Sequence, residues 1–228
     1  MKKFAVFVEG FTEQEFVIRL LRKLAGEKQL RFEIYDQHRG YLQLRSFIQH
    51  PEEIPEWNVL IANCNNDEQV KTQIIDNYGR LVSQGYQYII GVKDVYPLKL
   101  GDLSRLRTGI SIGLPVGLAP VEIHLAVMEV EAWFIEEYTH FTRIHPALND
   151  EIIRSVGFDR ISMTAEQIEN PATILHQIYQ KVGLAYKKTG RHISRTVDAL
   201  DFEIISNSAR SRSASLDGFL QSIEKAIS

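Results

Sequence analysis

Residues Phe4-Ala5-Val6-Phe7-Val8 form an unbroken apolar run that stops at Glu9 and Gly10. A strand that is apolar at consecutive positions is covered on both faces, which is the pattern of a central strand in a parallel sheet. The period then changes. Phe16, Val17, Leu20, Leu21 and Leu24 recur at helical spacing, and Gly26 ends the segment. Thr12 followed by Glu15 reads as a capping box, which makes Thr12 the expected N-cap and puts Glu13 in the first turn. Further along, Phe32-Glu33-Ile34-Tyr35 alternates as a short strand, and Asn58–Asn63 is a second apolar strand. Asp67 is the expected cap of a helix carrying Val70, Ile74, Ile75, Tyr78, Leu81 and Val82, ended by Gly85. Tyr88–Val92 and Val121–Val127 are two more strands, separated by a loop rich in Gly and Pro. From Ala132 the pattern Trp133, Phe134, Ile135, Tyr138 is helical, and Asn149–Val156, Pro171–Tyr186, Ile193–Leu200 and Ala214–Ile227 are expected helices. Strands alternating with helices predict an α/β fold with a mainly parallel sheet of about four strands flanked by helices. The expected division is an α/β domain over residues 1–140 and a helical C-terminal portion over 141–228 packed on it.

The strands share a second feature: they end in acids. Parallel strands place their carboxyl ends along one edge of a sheet, where open α/β folds bind ligands, so Glu9, Asp94 and Glu129 are expected to converge there. Glu13 lies four residues after Glu9, and Glu129 and Glu131 share the parity of Val121, Ile123, Leu125 and Val127. Carboxylates gathered in one crevice repel unless something positive neutralises them. An all-oxygen ligand set suits Mg²⁺ or Mn²⁺. No Lys or Arg occurs between Thr108 and Thr142, which removes the local partners for a salt-bridged alternative. The competing reading is structural. Acids in a first helical turn, such as Glu13 and Glu15, complement the helix dipole, and Asp94 can simply begin a loop. Glu136 and Glu137 read as a solvated helix face. The helix start at Gly10 would present backbone N–H groups to a phosphate.

Composition narrows this only slightly. The net charge of −3 gives no overall attraction to nucleic acid, so an anion site must be local. Lys187, Lys188, Arg191 and Arg195 form the densest acid-free basic run, with Arg210 and Arg212 beyond it. They are expected to contact a phosphate backbone, with Tyr186 and His192 adding stacking or hydrogen bonds, unless the run is a solvated surface loop. The single cysteine, Cys64, excludes an internal disulfide and reads as a packed strand residue, and Trp57 and Trp133 read as core. With no apolar run of membrane-spanning length and no signal peptide, the expected setting is cytoplasmic, with no membrane partner.

Glu-Gly-x-Thr-Glu after the first strand, a strand ending in Asp94, and Glu-x-Glu-Ala-Trp from Glu129 together resemble the Toprim-like prokaryotic proteins related to the overcoming-lysogenization-defect (OLD) family nucleases. The resemblance spans about residues 4 to 138. It implies a Toprim-like sheet and a Mg²⁺- or Mn²⁺-dependent nuclease of DNA or RNA, in phage defence or nucleic-acid processing, with a neighbouring ATPase-type protein as a partner. By the same resemblance Glu9, Glu13, Asp94, Glu129 and Glu131 would be the metal-binding and catalytic residues. Where such domains carry Asp-x-Asp this chain has Asp94-Val95-Tyr96. That departure admits the alternative of a non-catalytic, partner-binding or nucleotide-sensing module.

Overall fold

The computed structural model describes residues 1–26, 30–49, 54–66 and 68–228; the expected cap at Asp67 lies outside them. Strand β1 (Lys2–Val8) is followed by helix α1 (Phe11–Ala25), strands β2 (Leu30–His38), β3 (Tyr41–Gln49) and β4 (Trp57–Asn63), helix α2 (Gln69–Ser83), strand β5 (Tyr88–Asp94), helix α3 (Leu103–Ser111) and strand β6 (Val121–Ala126). Helices α4 (Glu131–Glu136), α5 (His140–Ile144), α6 (Asp150–Ser155), α7 (Pro171–Gln180), α8 (Gly190–Ala199), α9 (Phe202–Ile204) and α10 (Ala214–Ile227) complete the chain. The fold is α/β, with a mostly parallel sheet ordered β3-β2-β4-β1-β5-β6. β1 is central and pairs in parallel with both β4 and β5, as its continuous apolar run requires. β6 runs with β5: Ile89 N–H donates to Pro120 C=O and Val95 N–H to Ala126 C=O, an equal advance of both chains.

Two compact units emerge, neither of them continuous. The first holds Met1–Lys93, Ser104–Leu125 and Gly218–Ser228; the second holds Asp94–Leu103 and Ala126–Asp217. Residue 140 falls inside the second unit. In the first, one face of the sheet contributes Ala5, Phe7, Leu60, Ala62 and Ile89, and α2 lays Val70, Ile74 and Leu81 against them. Each fully buried Leu, Ile or Phe contributes about 1.5–3 kcal/mol relative to exposure, so this cluster helps hold the strands in place. Gly91 belongs to the same packing: a Cβ there would meet Ile74 Cδ1 at 3.0 Å and Ile123 at 3.1 Å. Cys64 is fully buried, and burial, with Glu9 adding to it, pushes its thiol pKa up to about 12, as an inert packed residue requires.

The sheet has more strands than the sequence pattern suggests. β3 is an edge strand with most residues exposed, so its apolar residues do not follow a buried period. Its turn is visible in retrospect: Arg39 and Gly40 both take positive φ, 50° and 86°, in the two-residue loop that joins β2 to β3. α1 also begins one residue before Thr12. Its N-cap is Gly10, and Glu13 rather than Glu15 closes the cap by accepting the Gly10 N–H at 2.8 Å.

The second unit is built on Trp133, Phe134, Phe141, Phe158 and Tyr179, all fully buried. Here Glu136 and Glu137, expected on a solvated face, are buried and paired. Glu136 meets Arg212 at 2.7 Å, and Glu137 meets Arg143 at 2.8 Å and accepts the Asp201 N–H at 3.2 Å. Their counter-charges come from residues six and 76 positions away, beyond the reach of a local helical pattern. The Lys187–Arg195 run also divides: Lys187 and Arg191 are exposed, whereas Arg195 donates to Ala185 C=O and lies over the Tyr179 ring. Arg210 is tied to Asp217 at 2.7 Å.

His140 gives the fold a pH dependence. It is fully buried with Nδ1 2.6 Å from the Glu137 C=O, so that Nδ1 carries the proton. Burial pulls its pKa down to about 4; the bond to Glu137 opposes this and Arg143 reinforces it. In the first unit His124 is lowered to about 4 by burial, against Glu122 and with Lys225. A histidine held neutral in the folded state contributes stability that is whole above about pH 6.5 and is lost as pH falls toward 4, because the unfolded chain takes up the proton first. Buried Glu131 and Glu137 have raised pKa values and the opposite sign, so the histidine contribution is isolated by difference. His140→Asn keeps an amide donor for the Glu137 carbonyl and removes the titration. Between pH 7 and 5, urea unfolding should show wild type losing about 2 kcal/mol more stability than this variant. Equal losses would mean that His140 is not held neutral.

Candidate metal centre

Asp94 is the last residue of β5, and its Oδ1 accepts the Val130 N–H at 3.0 Å. β6 stops at Ala126, and the next acids are delivered by a turn. Met128 takes φ 64°, a left-handed conformation that costs a non-glycine residue about 1–2 kcal/mol. The chain reverses through Glu129, whose C=O accepts the Ala132 N–H at 3.0 Å, and Glu131 opens α4. Glu129 and Glu131 therefore meet Asp94 through this turn, not through the strand parity expected of them.

One oxygen from each of Asp94, Glu129 and Glu131 lies within 4.8 Å of the others, and all three residues are buried. This is a group that could hold a metal ion. Glu129 Oε2 accepts the Ala172 N–H at 2.9 Å, so it sits at the N-terminus of α7, where the helix dipole favours an anion. Glu131 is completely buried. Its Oε1 accepts the Tyr186 hydroxyl at 2.7 Å, while its Oε2 meets no hydrogen-bond donor. A buried carboxylate oxygen without a donor is costly unless a cation supplies what is missing. Burial pushes the Glu131 pKa up, with Glu129 acting the same way and Lys188 and Tyr186 opposing.

Lys188, expected to contact a phosphate backbone, pairs with the acids themselves. Its Nζ lies 2.9 Å from Glu129 Oε1 and 3.4 Å from Glu131 Oε1. Burial works against its charge, but Glu131, Glu129 and Asp94 together hold its pKa above the ordinary lysine range. Tyr186, expected to add stacking or hydrogen bonds to a nucleic acid, is buried and donates its hydroxyl to Glu131 instead. Both reach the acids because the expected helix Pro171–Tyr186 stops early. α7 ends at Gln180; Gly183 at φ 72° then closes a Schellman motif, with Gly183 N–H to Gln180 C=O and Leu184 N–H to Tyr179 C=O. Lys188 itself takes φ 46°. Left-handed backbone is thus found at two residues around the acids, Met128 beside Glu129 and Lys188 against it, conformations that persist only where the surrounding structure over-determines them.

Glu9 and Glu13 are not part of this group. Both lie in the first unit: Glu9 follows the last residue of β1, and Glu13 is engaged in capping Gly10. The Gly10 N–H expected to meet a phosphate is thereby taken, and a Cβ at Gly10 would lie 3.3 Å from Glu13 Oε2, a close contact. Lys188 and Tyr186 had a signal in the sequence. Glu129 and Glu131, in a stretch free of Lys and Arg, need a remote counter-charge, and the densest remote basic run supplies it through Lys188. Among the described residues no helix is long and apolar enough to cross a membrane. Comparisons of the chain with models of protein families, with curated proteins and with solved structures return no match.

Proposed function

We propose that the protein is a Mg²⁺- or Mn²⁺-dependent phosphodiester hydrolase acting as a nuclease, with Asp94, Glu129 and Glu131 holding the ion. The observation that carries this reading is the fully buried Glu131, whose Oε2 lacks a donor inside a three-carboxylate group. The donor set fits the ion: hard cations take carboxylate oxygens and leave positions for water and phosphate. When bound, such an ion polarises a phosphoryl oxygen and lowers the pKa of a bound water. The chain's own residues do the rest. Val130 N–H and Ala172 N–H fix the orientation of Asp94 and Glu129, and the Tyr186 hydroxyl fixes Glu131. Lys188 offsets acid charge that would otherwise repel a polyanion, and exposed Lys187 and Arg191 add local positive charge in the same unit.

The direct test is cleavage of end-labelled DNA and RNA with Mg²⁺ or Mn²⁺ against chelator, using Asp94→Asn and Glu129→Gln as controls. Loss of a single ligand should lower the rate by at least about a hundredfold. Cleavage that survives both substitutions would refute the assignment. A second reading is favoured by one observation: Lys188 already sits among the acids. On that reading the group is a charge network in a non-catalytic partner-binding or nucleotide-sensing module, and no metal enters it.

A further inference from the structure

A cavity of about 370 Å³ opens in the second unit, lined by Tyr96, Leu98, Lys99, Met128, Glu169 and Asn170 among others. Its walls are the neighbours of the carboxylates. Tyr96 is two residues beyond Asp94, Met128 precedes Glu129, and Asn170 is two residues before Ala172, whose N–H binds Glu129. The Tyr96 N–H donates to Met128 C=O at 2.7 Å, which joins the two walls directly. The cavity and the acid group are therefore held by the same three chain segments.

The lining has a definite chemistry. Tyr96, Leu98 and Leu100 are large apolar or aromatic side chains exposed at 44%, 44% and 40%. Nothing in ordinary folding requires three such residues to be left uncovered together around a concavity. Asn170 is the N-cap of α7, yet its side chain makes no capping bond, so its amide remains available as donor and acceptor. Glu169 beside it adds an acceptor and Lys99 a cation. An apolar lining with an aromatic ring, edged by an amide and a carboxylate, matches a nucleobase: rings stack on the aromatic face, and base edges pair with the polar groups. The volume is at the lower end of small-ligand sites, roughly 300–1,000 Å³, and accommodates a single nucleoside.

We propose that this cavity receives one unstacked base of a single-stranded nucleic acid, with Tyr96 as its stacking platform, while the adjoining phosphate lies at the Asp94–Glu129–Glu131 group. The inference rests on the nuclease reading above and adds the substrate class. A base within a duplex is stacked on both sides and cannot enter a concave pocket unless it is flipped out, so single strands are preferred.

The test uses the full chain in Mn²⁺ with a fluorescein-labelled oligothymidylate of about a dozen nucleotides and a hairpin duplex of the same length. Anisotropy should show the single strand bound more tightly than the duplex. Tyr96→Ala should weaken single-strand binding about tenfold or more, in line with the loss of one base–aromatic stack; Tyr96→Phe should restore it, and Mn²⁺ affinity by calorimetry should be the same in all three proteins. A strand carrying 5-iodouracil should crosslink to Tyr96 on irradiation. Unchanged single-strand binding by Tyr96→Ala, or crosslinks confined to other segments, would overturn the cavity assignment. Metal-dependent cleavage that persisted in that case would leave the nuclease reading standing. Wild-type protein that neither bound nor cut either strand would overturn both.

Discussion

Glu131→Gln is expected to leave the metal-free protein as stable as wild type or more so, and to abolish the stabilisation that Mn²⁺ confers. The side chain is completely buried, and burial raises its pKa, so keeping it ionised at neutral pH costs folding free energy. A carboxyl with a raised folded-state pKa contributes stability at low pH that is lost as pH rises through that pKa. The amide is its neutral isostere. Its carbonyl oxygen can still accept from the Tyr186 hydroxyl, and the repulsion from Glu129 disappears. What the amide cannot supply is the negative charge of a ligand. At Mn²⁺ about a hundredfold above its dissociation constant, a wild-type site gains about 2.7 kcal/mol, or about 5–10 °C in Tm for a chain of this size. The variant should show less than about a third of that shift. Thermal melts with and without Mn²⁺ read both halves of the expectation. A variant that is destabilised without metal and still shifted by Mn²⁺ as wild type is would mean that Glu131 is a structural acid outside the ion's reach.

The parts of this molecule that were legible in the sequence are those set by local period. β1, β4 and β5 are apolar at successive positions because both their faces are covered, and α10 follows its amphipathic spacing from Ala214 to Ile227. β3 was missed because an exposed edge strand has no buried face to impose alternation. α3, within the Gly- and Pro-rich stretch, buries only Ile110, so its apolar pattern is weak. At the site, the acids were legible as strand-end residues, but the way they meet was not. Strand parity would have carried Glu129 and Glu131 together had β6 continued, whereas the strand stops at Ala126 and the left-handed Met128 turns both acids in. The counter-charge was the least legible feature. Lys188 is 59 residues from Glu129, and only the Schellman turn at Gly183 sends it back to the acids. A sequence window sees the basic run and the acidic run as separate features; the fold makes them one charge network.

That network makes Lys188→Met the substitution that separates the two readings of the site. The ammonium is partly exposed, at 42%, yet it is shared by Glu129 and Glu131 at 2.9 and 3.4 Å. Removing it leaves buried carboxylates facing one another with no cation between them. Breaking a fully buried pair costs about 3–5 kcal/mol, and solvent at the lysine end reduces this, so a loss of about 1–3 kcal/mol is expected in chelator. A bound divalent ion and the ammonium compete for the same oxygens. If the group is a metal site, removing the competitor should tighten Mn²⁺ binding by about tenfold, and saturating Mn²⁺ should restore the lost stability. Because the surrounding acids hold the lysine pKa above its ordinary range, the ammonium stays charged and the competition persists throughout the neutral range of pH. Calorimetric titration and paired melts of wild type and variant supply the measurement. A variant that is destabilised, binds no Mn²⁺ and is not rescued by it would show that Lys188 is the permanent cation of a salt-bridged cluster, and the hydrolase reading would give way to the non-catalytic one.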